Sequence, residues 1–294
     1  SATGGQQPTH PPPAQAQRGL NGGARPPLPL PPFAPQFSRQ RAPLALAGAL
    51  LSLALVGCQP PKPRDQLVVA SRSSLESVDP VDVTSVAGAQ LLSAIGDSLY
   101  SSDANGQLSP RLATALPQFS ADGRLARIPL RRGVRFHDGT PFNAAALVFS
   151  LERFRALGKL SYLLDERISG IRASGPYELE LRLKRPYGAL AALLSSSNLT
   201  PLSPTAYEQY SRRALRDRFV GTGPYQLVRS SPQLQSLRPF PGYWGARPRN
   251  QGLQLVTLSN STALYGALIS GEVDLLLSQG LESDQQRDLA VSYT

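Results

Sequence analysis

The sequence predicts a mixed α/β fold of the α+β kind, and three observations carry that prediction. In "YELELRLK", Tyr177, Leu179, Leu181 and Leu183 alternate with Glu178, Glu180, Arg182 and Lys184, the period-2 pattern of a half-buried strand. In two other windows apolar residues recur with helical spacing: Leu91, Leu92, Ile95 and Leu99, then Ala144, Leu147, Val148, Leu151 and Phe154. Between these helices Asp122-Gly123 sits inside "PQFSADGRLARIPL", a strong signal for a tight antiparallel hairpin. Interleaved strands and helices with hairpins exclude a helical bundle, and no fixed-period repeat is present.

The elements follow in order. "DQLVVAS" (65–71) is a short apolar run suited to a buried first strand, followed by "SSLESVDPVDVTS", a loop rich in turn formers. Thr84 or Ser85 is placed to cap the first helix, which the spacing carries to Leu99. Pro129 in the second arm of the Asp122-Gly123 hairpin cannot donate to a ladder and predicts an edge strand. "GVRFHDGTPF" reads as a strand running into a tight turn at Asp138-Gly139, and Asn143 as the cap of the second helix. "SPTAYEQYSRRALRDRF" reads as a polar helix. In "GTGPYQLVRS" glycines that allow unusual backbone angles open a strand, and "QGLQLVTLS" is again strand-like. "NSTALYGALISG" is a helix closed by Gly271, and "EVDLLLS" a last strand.

The first part of the chain is of another kind. Its first 43 residues hold eleven of the 28 prolines and no acidic residue, a composition that cannot bury a core. Arg39 and Arg41 then precede "APLALAGALLSLALVG", an uncharged apolar stretch shorter than the roughly 20 residues a membrane-spanning helix needs and of signal-peptide length. It ends in Leu55-Val56-Gly57-Cys58, which resembles a bacterial lipobox, with Cys58 as the residue that receives the lipid. "QPPKPRD" after it is an extended, proline-stiffened tether. The predicted organisation is a Pro/Gly-rich leader (1–38), a lipoprotein signal peptide (39–57), a tether (58–64) and a folded part from residue 65.

Composition narrows the chemistry. Cys58 is the single cysteine, which excludes an internal disulfide framework and a cysteine-rich zinc site. With His10 and His137 as the two histidines there is little material for a metal cage, and His137, inside the Asp138-Gly139 turn, reads as structural. The net charge of +10 invites a nucleic-acid reading, but four of the arginines precede Cys58 and the rest are dispersed. "RIPLRRGVR" and "YSRRALRDR" read as solvated polar edges rather than a phosphate groove. Tyr243 and Trp244 in "FPGYWG" read either as a packed aromatic pair or as a ligand shelf.

The segments "LSPRLATALPQFSADGRLARIPLRRGVRFHDGTPFNAAALVFSLERF", "VGTGPYQL", "FPGYWG" and "STALYGALISGEVDLL" together resemble the family-5 extracellular solute-binding proteins of ABC importers. The resemblance implies a periplasmic-binding-protein-like fold of type II, with a first lobe over 65–258 and the start of an incomplete second lobe over 259–294. It implies ligand contacts in the loop after Asp79-Pro80, at Thr84, Ser85 and Val86, and at Tyr162 after the "FSLERF" helix; the hydroxyls could equally cap the helix that follows. It also implies no catalytic residue, cofactor or resident metal. The protein would be a lipid-anchored monomer on the periplasmic side of the bacterial cell envelope, capturing a peptide or similar small polar solute for ABC permease subunits. Many relatives carry Asp-Val where this chain has Ala146-Leu147. Two alternatives stay open: an envelope scaffold without cargo, and an exported hydrolase. The hydrolase lacks support, since His137 is the one histidine after Cys58 and no G-x-S-x-G elbow is present.

Overall fold

The computed structural model describes residues 65–208, 218–276 and 280–292. The leader, the signal-like stretch, Cys58 and the tether lie outside the described residues, as does most of the predicted polar helix beyond Glu208. Eleven strands and seven α-helices are described. The strands are β1 (Gln66–Ser71), β2 (Tyr100–Ser102), β3 (Leu108–Pro110), β4 (Gln118–Phe119), β5 (Leu125–Pro129), β6 (Ile168–Gly175), β7 (Glu178–Leu183), β8 (Tyr225–Ser230), β9 (Leu234–Pro239), β10 (Gly252–Thr257) and β11 (Leu275–Leu276). The helices are α1 (Val86–Ile95), α2 (Ala144–Leu157), α3 (Tyr162–Asp165), α4 (Leu190–Leu193), α5 (Pro204–Tyr207), α6 (Ser261–Ile269) and α7 (Ser283–Ser292).

A five-stranded sheet has the order β11-β1-β10-β9-β8. β1 is parallel to both neighbours, pairing along its whole length with β10 and through Val69 and Ala70 with β11. Its apolar run is buried on both faces, as central parallel strands require. Val69 belongs to a core with Leu91, Leu92 and Ile95 of α1, while Val68 and Ala70 pack with Leu264 and Ala267 of α6 and Val273. The residues from 259 to Leu276 are thus a helix and a strand of this same sheet.

The second layer is a four-stranded antiparallel sheet, β4-β5-β7-β6, packed on α2. Leu179, Leu181 and Leu183 of β7 are buried with Ala126 and Ile128 of β5 and with Ala144, Leu147, Leu151 and Phe154 of α2. The predicted hairpin is present as β4 and β5, with Gly123 at φ 64° in its turn. β5 is not the edge that Pro129 predicted, since β4 and β7 flank it. The neighbouring Leu130 N–H donates to Tyr177 O on the β7 side, so the Pro129 nitrogen faces the β4 side beyond that strand's last pair, where no ladder bond is lost. Glu180 is buried too, although alternation placed it in solvent. It accepts from Arg127 at 3.3 Å and from Arg172 at 2.7 Å, residues directly across the two neighbouring strands. Burial pushes its carboxyl pKa up, and the Arg172 and Arg127 bonds and charges outweigh this and hold it below the usual range.

Two further expectations change. The first helix stops at Ile95: Gly96 ends it with N–H donated to Leu92 O, and Leu99 is buried one residue before β2 instead. "GVRFHDGTPF" forms no strand; a bridge between Arg135 and Pro141 and the bonds Phe136 N to Thr140 O and Phe142 N to Val134 O close it into a loop. Asp138-Gly139 is the predicted turn, with Gly139 at φ 84°.

A buried carboxylate joins the layers. Asp97, its side chain fully buried after α1, accepts from Trp244 Nε1 at 2.8 Å, from Tyr243 Oη at 3.2 Å and from the Arg111 guanidinium. Arg111 follows β3, and Trp244 also packs on the core of the four-stranded sheet, with the Arg131 guanidinium 4.5 Å from its ring centre. The "FPGYWG" aromatics are therefore a packed anchor. Burial, then the Asp97 charge, pushes the Tyr243 hydroxyl up to about 12. Replacing Asp97 with Asn keeps the shape but removes the charge from these bonds. The variant should lose about 3 kcal/mol of stability in urea unfolding; an unchanged midpoint would remove Asp97 from its place as the joint.

Candidate functional site

The loop between β1 and α1 is held from behind. Asp79 is fully buried and pairs with Arg153 of α2 through two parallel bonds, Nη1 to Oδ1 at 2.8 Å and Nη2 to Oδ2 at 2.6 Å. A fork geometry of this kind fixes direction as well as charge. Asp79 Oδ1 also accepts from Val81 N, and Asn198 Nδ2 donates to Pro80 O at 3.0 Å and to Val83 O at 2.9 Å. Asp79, Pro80 and Val83 are thereby anchored to α2 and to the 3₁₀ turn at Ser197–Leu199.

The outer side of that loop forms one wall of an open groove of about 560 Å³. Glu76, Ser77 and Asp82 come from the loop, Lys159 from the turn after α2, and Ser230 and Ser231 from the β8–β9 hairpin. The Lys159 backbone N–H donates to Val81 O at 2.8 Å, which seats the second wall on the first. The groove lies beyond the carboxyl ends of β1 and β8; β10, parallel to β1, ends at the same margin of the sheet. α1 covers one face of the sheet after β1 and α6 the other after β10, so the helices change sides at this margin, where open α/β sheets place ligands.

None of the four residues singled out from the sequence is among those lining this groove, and they do not hydrogen-bond one another. Ser85 caps α1, its Oγ accepting from Gly88 N at 3.2 Å. Thr84 does not cap; its Oγ1 donates to Glu76 at 3.0 Å and orients that carboxylate. Val86 and Tyr162 are exposed, Tyr162 at the start of α3. Sequence reasoning missed Glu76, Asp82 and Lys159, which line the groove, and Arg153 and Asn198, which position it. The Asp79-Pro80 pair was the available signal, because a carboxylate inside an apolar loop needs a partner elsewhere.

The "GTGPY" glycines act by size. Neither has positive φ; a Cβ on Gly223 would sit 2.4 Å from Ile95 C and 2.5 Å from Gly96 N, where Gly223 N–H donates to Ile95 O. His137 faces the same loop. Its backbone N–H donates to Gly221 O, its Nε2 lies 3.0 Å from Gly223 O, and its ring packs edge-on to Phe240. Among the described residues, no cluster of three or more His, Asp, Glu or Cys is placed to hold a metal, and no helix is long and apolar enough to cross a membrane.

Residues 107–292 match the sequence profile of the bacterial extracellular solute-binding proteins, family 5 (middle). The chain belongs to that family. Among individual relatives, it is 31% identical over 181 residues to the glutathione-binding protein GsiB of Escherichia coli K12, an alignment covering 60% of this chain and 35% of the relative. The chain spans about a third of the length of the curated relatives it matches. In structure it is similar to an ABC transporter substrate-binding protein from Sinorhizobium meliloti (TM-score 0.70, 25% identity, 77% of this chain and 47% of that one). It is similar also to the periplasmic binding protein DppA from Helicobacter pylori in complex with the peptide STSA (TM-score 0.68, 25% identity, 77% and 48%). These relatives are named as binding proteins and not as enzymes.

Two outcomes test the construction. Replacing Arg153 with Ala strands the Asp79 carboxylate and should cost about 3–5 kcal/mol, measured by urea unfolding; a loss below about 1 kcal/mol would show that the loop does not depend on the pair. Burial, against the pull of the Gly223 and Phe219 carbonyls and the charges of Asp97 and Asp138, lowers the His137 pKa. A base whose folded pKa lies below its unfolded value takes up its proton more readily when unfolded. Stability should therefore be full above the ordinary imidazole pKa of about 6.5 and decline as pH falls from there through the folded value. His137→Gln should remove that part of the pH dependence in thermal melts, and an unaltered profile would overturn the assignment.

Proposed function

We propose that the described residues form one lobe of the solute-binding component of an ABC importer, and that the groove beyond β1 and β8 is its share of the solute site. Function consists of capture and lobe closure, with no bond made or broken. The observation that carries this reading is a rigidly backed loop at the carboxyl ends of parallel strands, in a chain of the solute-binding family. On this reading Thr84, Ser85 and Val86, at the end of the loop and the start of α1, and Tyr162, at the start of α3, add contacts to the solute from outside the groove lining. The cargo is a peptide or similar small polar solute, in keeping with relatives named for glutathione and solved in complex with a peptide.

The same reading makes Cys58 the lipid attachment point and residues 58–64 the tether. The lobe then works as a monomer on the periplasmic side of the membrane beside its permease subunits, without nucleic acid. The second lobe of the clamp is assigned to sequence beyond the sheet that β11 completes.

Native mass spectrometry of the chain carrying Cys58→Ala tests capture. A copurified peptide or small solute released on denaturation is the expected result; an empty spectrum from folded protein favours a scaffold without cargo. For the anchor, Cys58→Ala should move the protein from the membrane to the soluble fraction of fractionated cells, and continued membrane retention would overturn it.

A further inference from the structure

The groove carries three charged side chains, and they are not equally compensated. Lys159 Nζ lies 4.0 Å from Asp82 Oδ1, so these two largely offset one another. Asp79 behind them is neutralised by Arg153. Glu76 is different. Its carboxylate is exposed, held by the single bond from Thr84 Oγ1, and no cation lies within 4 Å of it among the described residues. The neighbouring Arg72 turns to Glu282, and Arg155 is engaged by Glu152 and Asp165. The remaining lining is neutral: Leu75, Ser77, Val78 and the Ser230–Pro232 turn. The groove therefore presents one fixed, uncompensated negative charge to whatever enters it.

Resting on the solute-capture reading above, we propose that Glu76 is a specificity-determining residue that receives a positively charged group of the solute, so that the lobe selects cationic over anionic peptides. The Thr84 bond orients the carboxylate before the solute arrives, which reduces the ordering that binding requires. Glutathione carries two carboxylates against one ammonium at neutral pH and is on this account a poor cargo, although a relative is named for it. The preference is electrostatic and local, and it weakens with salt.

The test is isothermal titration of the Cys58→Ala chain with Ala-Lys-Ala, Ala-Gln-Ala, Ala-Glu-Ala and glutathione at low and physiological ionic strength. Ala-Lys-Ala should bind about fivefold more tightly than Ala-Glu-Ala, the scale of one nearby charge interacting across water. Glutathione should fall with the anionic peptide. Glu76→Gln, which keeps the acceptor for Thr84, should bring the ratio to about one, and Glu76→Lys should reverse it. Thermal melts should match the parent, separating lost selectivity from lost folding. Peptide binding whose ranking is flat, reversed or unchanged in Glu76→Gln overturns the role of Glu76 while leaving solute capture standing. No binding by any of the four overturns this proposal and counts against the peptide reading beneath it.

Discussion

The fold depends on the position of one buried carboxylate. Asp97 sits between α1 and β2, where the chain passes from the helix on the five-stranded sheet to the two-stranded β2-β3 hairpin, and collects donors from Arg111, Tyr243 and Trp244. A buried anion is tolerable only when its lone pairs are occupied, so these three side chains, more than 130 residues apart at their extremes, are obliged to converge. Their convergence ends α1 at Gly96, brings the "GTGPY" loop against Ile95, and packs Trp244 on the second core. With α1 so fixed, its capped start and the loop before it are fixed as well.

The groove follows from a second constraint of the same type. Asp79 and Arg153 belong to different layers, the loop after β1 and the helix covering the other sheet, so the pair transmits the position of α2 to the loop. Asn198 does the same from the 3₁₀ turn. Anchored backbone of this kind holds the polar groups of the groove wall in fixed positions. The same network leaves Glu76 outside the compensation.

Much of this was legible in the sequence where local chemistry decides. The Asp122-Gly123 hairpin, the Asn143 cap, the alternating strand at 178–183 and the Gly271 stop depend on neighbours within a few residues. What was not legible depends on distant partners. Glu180 reads as solvent-facing until Arg127 and Arg172 are brought across it from adjacent strands, and Pro129 reads as an edge residue until β4 is found to stop short of it. Leu99 keeps helical spacing while Asp97 draws the backbone elsewhere. Thr84, Ser85, Val86 and Tyr162 were singled out through the family resemblance and do not line the groove, whereas Glu76 and Lys159 are ordinary surface residues in the sequence and acquire meaning from the walls they share.

The parallel pairing of β1 sets an order on how the molecule comes into being. The strand at residues 66–71 finds its ladder partners only at 252–257 and 275–276, almost at the far end of the described chain. A polypeptide emerging from its N-terminus must hold this strand unpaired until nearly everything between has been made, during which time the β4–β7 layer, whose pairings are far more local, can already form. The sticky intermediate is then a finished antiparallel layer with an orphan strand beside it, and holding that strand apart from others of its kind becomes a task for chaperones.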